Sequence, residues 1–70
     1  MKKCKIYQIA NSGLSHYDMG YKSVKMCLSG EITKREYFAP FEPDTKEGHE
    51  WNEGACQAKT DYDNGYLMIY

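Results

Sequence analysis

The sequence predicts a small α+β domain in which an antiparallel sheet of about four strands is covered on one face by a single helix. Two stretches of alternating apolar and polar residues, within 4–10 and 21–41, are typical of strands, because successive side chains of a strand point to opposite faces. Between 48 and 62, apolar residues recur at helical spacing, and 66–70 form a short apolar run. An all-β barrel or roll of about five strands is the alternative.

Size and composition indicate one compact domain over residues 1–70. A chain of this length buries only about 60% of the surface that it exposes when unfolded, so there is room for one core. The chain has 27% charged and 41% hydrophobic residues, which are ordinary values for a globular protein. No apolar run approaches the roughly 20 residues of a membrane-spanning helix, and the basic N-terminus lacks the apolar stretch of a signal peptide. We therefore expect a cytoplasmic protein with no membrane partner.

The first predicted strand lies in "KCKIYQIA", where Ile6, Tyr7 and Ile9 suit a half-buried pleated strand. The polar residues 11–13 break it, and the following "LSHYDMG" has no clear period, which predicts a loop.

A β-hairpin is predicted for the next segment. Val24, Met26 and Leu28 alternate with polar residues, and Ser29-Gly30 supplies a turn. The return strand runs from 32 to 38. Pro40 and Pro43 then end the strand, because proline has no N–H to donate to the sheet.

The segment 43–62 fits both a helix and a strand. A helix places Trp51, Ala55, Ala58 and Tyr62 in one stripe, whereas a strand alternates Cys56, Ala58, Thr60 and Tyr62 with polar residues. The alanines, glutamates, lysine and glutamine favour the helix, beginning near Gly48 or Glu50. Asn64-Gly65 then closes the helix; in the alternative it is the tip of a hairpin. The final 66–70 is predicted to be a strand.

Catalytic, cofactor and metal sites are not predicted. Cys4, Cys27 and Cys56 are an odd number without a C-x-x-C pair, which argues against a disulfide framework and a zinc knuckle. A nucleophile's base needs an orienting acid, and the sequence offers one only for His49, beside Glu50; adjacent residues of a helix point in different directions, so this pair does not predict a catalytic site. The chain contains no glycine-rich phosphate loop. The sequence therefore predicts a non-enzymatic protein that binds no cofactor.

Charge is divided unequally along the chain. Residues 1–40 carry seven basic and three acidic residues, whereas 41–70 carry two basic and seven acidic residues, so a net charge of −1 hides +4 and −5. Such asymmetry is the strongest signal for a partner in the sequence.

The favoured function is a small protein-binding module, of the inhibitor or regulator type, that docks an acidic helix face on a basic surface of a larger protein. Ten aromatic residues, seven of them tyrosine, exceed what a core of this size can hide, and Tyr and Trp commonly anchor interfaces. The candidate partner-binding residues are Glu47, Glu50, Trp51, Glu53, Asp61 and Asp63.

Two alternatives use other surfaces. Nucleic acid would bind a basic, tyrosine-bearing sheet face formed by Lys22, Lys25, Lys34, Arg35 and Tyr37. A homodimer would form through the open edge of the short sheet.

Overall fold

The computed structural model of the chain describes residues 5–33 and 35–67, and over these residues it is a bundle of three helices. Helix α1 spans Lys5–Ala10, α2 spans His16–Ser29 and α3 spans Lys46–Asp63. Neither described range contains a strand. The α+β prediction with its antiparallel sheet of about four strands is therefore wrong, and so is the all-β alternative.

Helix α1 replaces the predicted first strand. Ile6 and Ile9 are three residues apart and both are buried, as on one face of a helix, whereas Tyr7 is exposed. The chain leaves the helix at the break that the sequence predicts, where the backbone N–H groups of Asn11 and Ser12 still bond to the carbonyls of Tyr7 and Ile9.

Helix α2 begins inside the predicted loop and replaces the first strand of the predicted hairpin. Ser15 caps it by accepting the Asp18 backbone N–H at 3.2 Å. Ser29-Gly30 closes the helix rather than a hairpin: Gly30 has φ +89°, and the next backbone N–H, of Glu31, bonds to the Met26 carbonyl at 2.9 Å.

The connection between α2 and α3 is irregular where a return strand was predicted. The Ile32 backbone N–H bonds to the Met26 carbonyl, and the Ile32 side chain is buried in the core. Farther along, Tyr37 and Phe41 pack against that core and are half-buried. This segment therefore contributes apolar side chains without forming a sheet.

Helix α3 is the helix predicted for this part of the chain, and it begins two residues before Gly48. Thr45 caps it by accepting the Gly48 backbone N–H at 3.1 Å. Asn64-Gly65 ends it: Gly65 has φ +80°, its N–H bonds to the Tyr62 carbonyl, and the following N–H bonds to the Asp61 carbonyl at 2.8 Å. Residues 66 and 67 are not in a strand, and 68–70 of the predicted last strand lie outside the described residues.

The core consists of Trp51 surrounded by Ile6, Ile9, Met19 and Ile32. Trp51 is wholly buried, and its indole Nε1 donates to the Tyr37 hydroxyl at 3.3 Å. Each element therefore supplies at least one core side chain.

Backbone-to-backbone contact joins α2 to α3. A Cβ added at Gly20 would overlap the Trp51 carbonyl oxygen, and one added at Gly54 would overlap the Tyr17 carbonyl oxygen. The contact is reciprocal. Trp51 lies three residues before Gly54 in α3, and Tyr17 lies three residues before Gly20 in α2. Each glycine therefore contacts the carbonyl that lies about one turn before the other glycine. Two wholly buried small residues, Ser23 of α2 and Ala58 of α3, lie beside these glycines. The Ser23 hydroxyl donates to the Gly20 carbonyl.

Of α1, α2 and α3, none is long and apolar enough to cross a membrane.

Candidate functional site

One flank of α3 remains open beside α2. Four residues of α3 are buried, namely Gly48, Trp51, Gly54 and Ala58. At 3.6 residues per turn, the side of α3 that lies about 110° around the helix from these residues and borders α2 carries three carboxylates and an amide. We call this set the acidic flank; its members are Glu50, Glu53, Gln57 and Asp61.

Glu50 contacts the beginning of α2. Its Oε1 lies 3.7 Å from Nδ1 of His16, and the two side chains are 40% and 36% exposed. The His16 ring also meets the Phe41 ring edge-on, with centroids 4.9 Å apart. This corner of the molecule therefore joins α2, α3 and the connection between them at the surface.

Asp61 is the most firmly held carboxylate of the acidic flank. The Tyr21 hydroxyl donates to its Oδ2 at 2.7 Å, and the Gln57 Nε2 donates to its Oδ1 at 2.8 Å. The bond to Asp61 raises the pKa of Tyr21, because that bond stabilises the neutral phenol, and partial burial raises it further. Both oxygens of this carboxylate are thus oriented by neighbouring side chains.

A shallow groove of about 500 Å³ runs along the outer side of α3 beside the acidic flank. Helix α2 contributes Tyr17 to its lining. Helix α3 contributes the rest, namely His49, Asn52, Glu53, Cys56, Gln57 and Thr60. Glu53 and Gln57 belong both to the groove and to the acidic flank, so the two features form one continuous polar surface.

No protein-family model, curated protein or solved structure matches this chain.

The structure brings together some of the candidate partner-binding residues and separates others. Glu50, Glu53 and Asp61 lie along the acidic flank. Asp63 is exposed but lies about 160° around the helix from Asp61, and Glu47 is half-buried in the first turn. Trp51 is in the core, so its ring is not offered to a partner.

Sequence reasoning missed the α2 residues that border this surface, His16, Tyr17 and Tyr21, because it placed their segment in a loop and a strand. A signal was present in the sequence. Ser15 precedes Asp18 by three residues, which is a helix-start pattern, and Tyr17 and Tyr21 have the i, i+4 spacing of one helix face.

The residues proposed for nucleic-acid binding do not share a sheet. Lys22 and Lys25 are exposed on α2, and Arg35 is exposed in the connection. Tyr37 is half-buried and accepts the Trp51 hydrogen bond, and Lys34 lies outside the described residues. The basic sheet face therefore does not exist in the part of the chain that the structure describes, and neither does the sheet edge of the homodimer alternative.

Among the described residues, the thiols and acidic side chains are not arranged as a site for a metal ion. Cys27 is half-buried and Cys56 is exposed, and both are free; Cys4 lies outside the described residues. Over 5–33 and 35–67, no three His, Cys, Asp or Glu side chains are grouped so that they could hold a metal.

Proposed function

We propose that this protein is a small, non-enzymatic binding module of the inhibitor or regulator type, which docks the acidic flank of α3 on a basic surface of a larger cytoplasmic protein. The observation that carries the proposal is the pair of hydrogen bonds that orients Asp61, at 2.7 and 2.8 Å, on the same helix flank as Glu50 and Glu53. Carboxylates that are already oriented need less rearrangement on binding.

The size of the acidic flank supports this role. From Glu50 to Asp61, α3 rises about 16 Å, which is long enough to meet several basic side chains of a partner. The half-buried tyrosines Tyr17 and Tyr21 lie on the α2 side of the flank. They take the place of Trp51 as candidate aromatic contacts, because the phenol combines an apolar ring with a polar hydroxyl.

The test is a charge reversal on the acidic flank. We expect the double variant Glu50→Lys, Glu53→Lys to bind the partner at least about tenfold more weakly, because like charges would then face each other across the interface. Immobilised wild-type and variant proteins are exposed to a lysate of the native host, the captured proteins are quantified by mass spectrometry, and the affinity of the candidate partner is then measured by titration.

The matched control is Glu42→Lys, Asp44→Lys, which makes the same change in net charge at two exposed residues before α3. A partner that is lost equally from both variants responds to net charge alone and contradicts the proposal. Capture that survives in the flank variant, or that disappears when the lysate is treated with nuclease, contradicts it as well.

A further inference from the structure

We infer that the groove between Tyr17 and α3 receives an arginine side chain of the partner protein. This inference rests on the proposed function and specifies the chemistry of the partner at one point of the interface. It is carried by the charge and the hydrogen-bonding groups of the groove lining.

The charge of the groove favours a cation. Glu53 is the one acidic side chain among the described residues of the lining, and that lining includes no lysine or arginine. Glu53 is also exposed, so its carboxylate is open to a side chain that enters from solvent. An anionic group such as a phosphate would meet this carboxylate with like charge.

The hydrogen-bonding groups favour arginine over lysine. Gln57 uses its Nε2 to donate to Asp61, so its Oε1 is the end that remains to accept. Asn52 and Thr60 supply further oxygen atoms along the same wall. A guanidinium has five N–H donors in a planar fork and can bind a carboxylate through two of them while reaching these oxygens, whereas an ammonium is a compact point charge.

Tyr17 completes the groove on the side of α2. Its half-buried ring is the one aromatic group among the described residues that line the groove, apart from the His49 imidazole. A guanidinium that is paired with Glu53 can lie against an aromatic face, an arrangement that attracts the cation through the ring quadrupole.

The experiment titrates ¹⁵N-labelled protein with the blocked tripeptide acetyl-Gly-Arg-Gly-amide and follows the backbone amide of Glu53 and the side-chain amides of Asn52 and Gln57 by NMR. Parallel titrations use the same peptide with lysine and with citrulline, which keeps the shape of arginine without its charge. We expect saturable shifts with arginine, at least about threefold weaker binding with lysine, and no saturation with citrulline.

Two variants locate the binding. Glu53→Gln removes the carboxylate and keeps the shape of the side chain, and we expect it to abolish saturation. Asp44→Asn removes the same charge from an exposed residue that precedes α3 and lies outside the groove, and it should leave the titration unchanged. Shifts that are equal for arginine and citrulline, equal for arginine and lysine, or unaffected by Glu53→Gln overturn the inference.

The outcome is separable from that of the proposed function. If the acidic-flank variants lose the partner but the arginine peptide gives no saturable shift, the arginine inference is wrong and the proposed function stands. If the peptide binds as expected but partner capture is unchanged by Glu50→Lys, Glu53→Lys, the proposed function is wrong and the preference of the groove for arginine stands.

Discussion

At the residue scale, the contact between Tyr21 and Asp61 links the two longest helices through a side-chain hydrogen bond of 2.7 Å. A net contribution of about 1 kcal/mol to stability is typical of such a bond. Tyr21→Phe removes the hydroxyl and keeps the ring, and we therefore expect it to lower the free energy of unfolding by about this amount at neutral pH.

This contribution should depend on pH in a defined direction. The pKa of Tyr21 is raised in the folded protein above its ordinary value of 10.0, chiefly by the bond to Asp61. The stabilisation is thus fully present below the pKa of the unfolded chain and is lost as pH rises through the folded pKa. The difference between wild type and Tyr21→Phe should be constant from neutral pH to about pH 9 and should shrink above pH 10.

Urea denaturation followed by Trp51 fluorescence measures this difference at each pH. Tyr62→Phe is the control, because Tyr62 is an exposed tyrosine of α3 and should change stability by less than about 0.5 kcal/mol at every pH. A Tyr21→Phe difference that persists unchanged above pH 10 would show that the phenol is not bound to a carboxylate.

At the same scale, the sequence predicts the burial of Ile6 and Ile9 better than it predicts their secondary structure. Ile6 and Ile9 were expected to be half-buried, and they are buried, but in a helix. Helix α1 has six residues, which is too short for a period of 3.6 to be distinguished from a period of 2.

At the scale of the elements, α2 and α3 end in the same way, with a glycine of positive φ and three backbone hydrogen bonds, from the glycine and the two residues after it, to carbonyls of the last turn. Gly65→Ala tests this closure. A Cβ at Gly65 would meet no atom within 4 Å, so any loss of stability comes from the backbone conformation alone. We expect a loss of about 1 kcal/mol, because residues with a Cβ disfavour the left-handed region.

The neighbouring substitution Asn64→Ala is the control, since Asn64 has φ −89°, which any residue adopts. It should change stability by less than about 0.5 kcal/mol. Chemical denaturation of both variants gives the comparison, and equal losses at the two positions would contradict the assignment of the closure to Gly65.

Apolar periodicity predicts helix α3 from the sequence but does not predict α2, for a physical reason. The buried side of α3 includes Trp51 and Ala58, and its end carries the Asn-Gly signal. The buried residues of α2 are Met19, Gly20 and Ser23, and a search for apolar periodicity does not count a glycine or a serine as buried. The alternation at Val24, Met26 and Leu28 then dominated the pattern, although Leu28 is exposed.

At the scale of the whole molecule, the fold depends on the absence of side chains at the contact between α2 and α3. Gly54→Ala should gain about 1 kcal/mol from helix propensity alone. The added methyl group would overlap the Tyr17 carbonyl oxygen, and overpacking of this kind costs about 1–3 kcal/mol or more because the two backbones must separate. We therefore expect Gly54→Ala to destabilise the protein.

The control is Cys56→Ala on the exposed side of the same helix. Alanine has the higher helix propensity, and at this exposed position its methyl group is not pressed against another helix. Guanidinium denaturation should give a lower midpoint for Gly54→Ala than for wild type and an equal or higher one for Cys56→Ala. A Gly54→Ala protein as stable as wild type would show that the helices do not touch at this point.

The contact between α2 and α3 at Gly20 and Gly54 also explains why the sequence predicts only part of the candidate site. Glu50, Glu53, Gln57 and Asp61 share a flank once the segment is known to be a helix, and spacing alone is sufficient for that. The α2 residues beside them, Tyr17 and Tyr21, are at least 29 residues away in sequence, and only the crossing at Gly20 and Gly54 brings them there.

The contact between α2 and α3 at Gly20 and Gly54 also determines whether the conformational entropy lost on folding comes from side chains or from the backbone. Gly20, Gly54 and Ala58 have no rotamers to lose, whereas burying a long side chain costs up to about 2 kcal/mol of rotamer entropy. At this contact, the two helices are thus joined with almost no loss of side-chain freedom. The loss falls instead on the backbone, since glycine is the most mobile residue of an unfolded chain. Lowering the backbone freedom of the unfolded state, rather than enlarging the core, is therefore the more direct route to a more stable form of this protein.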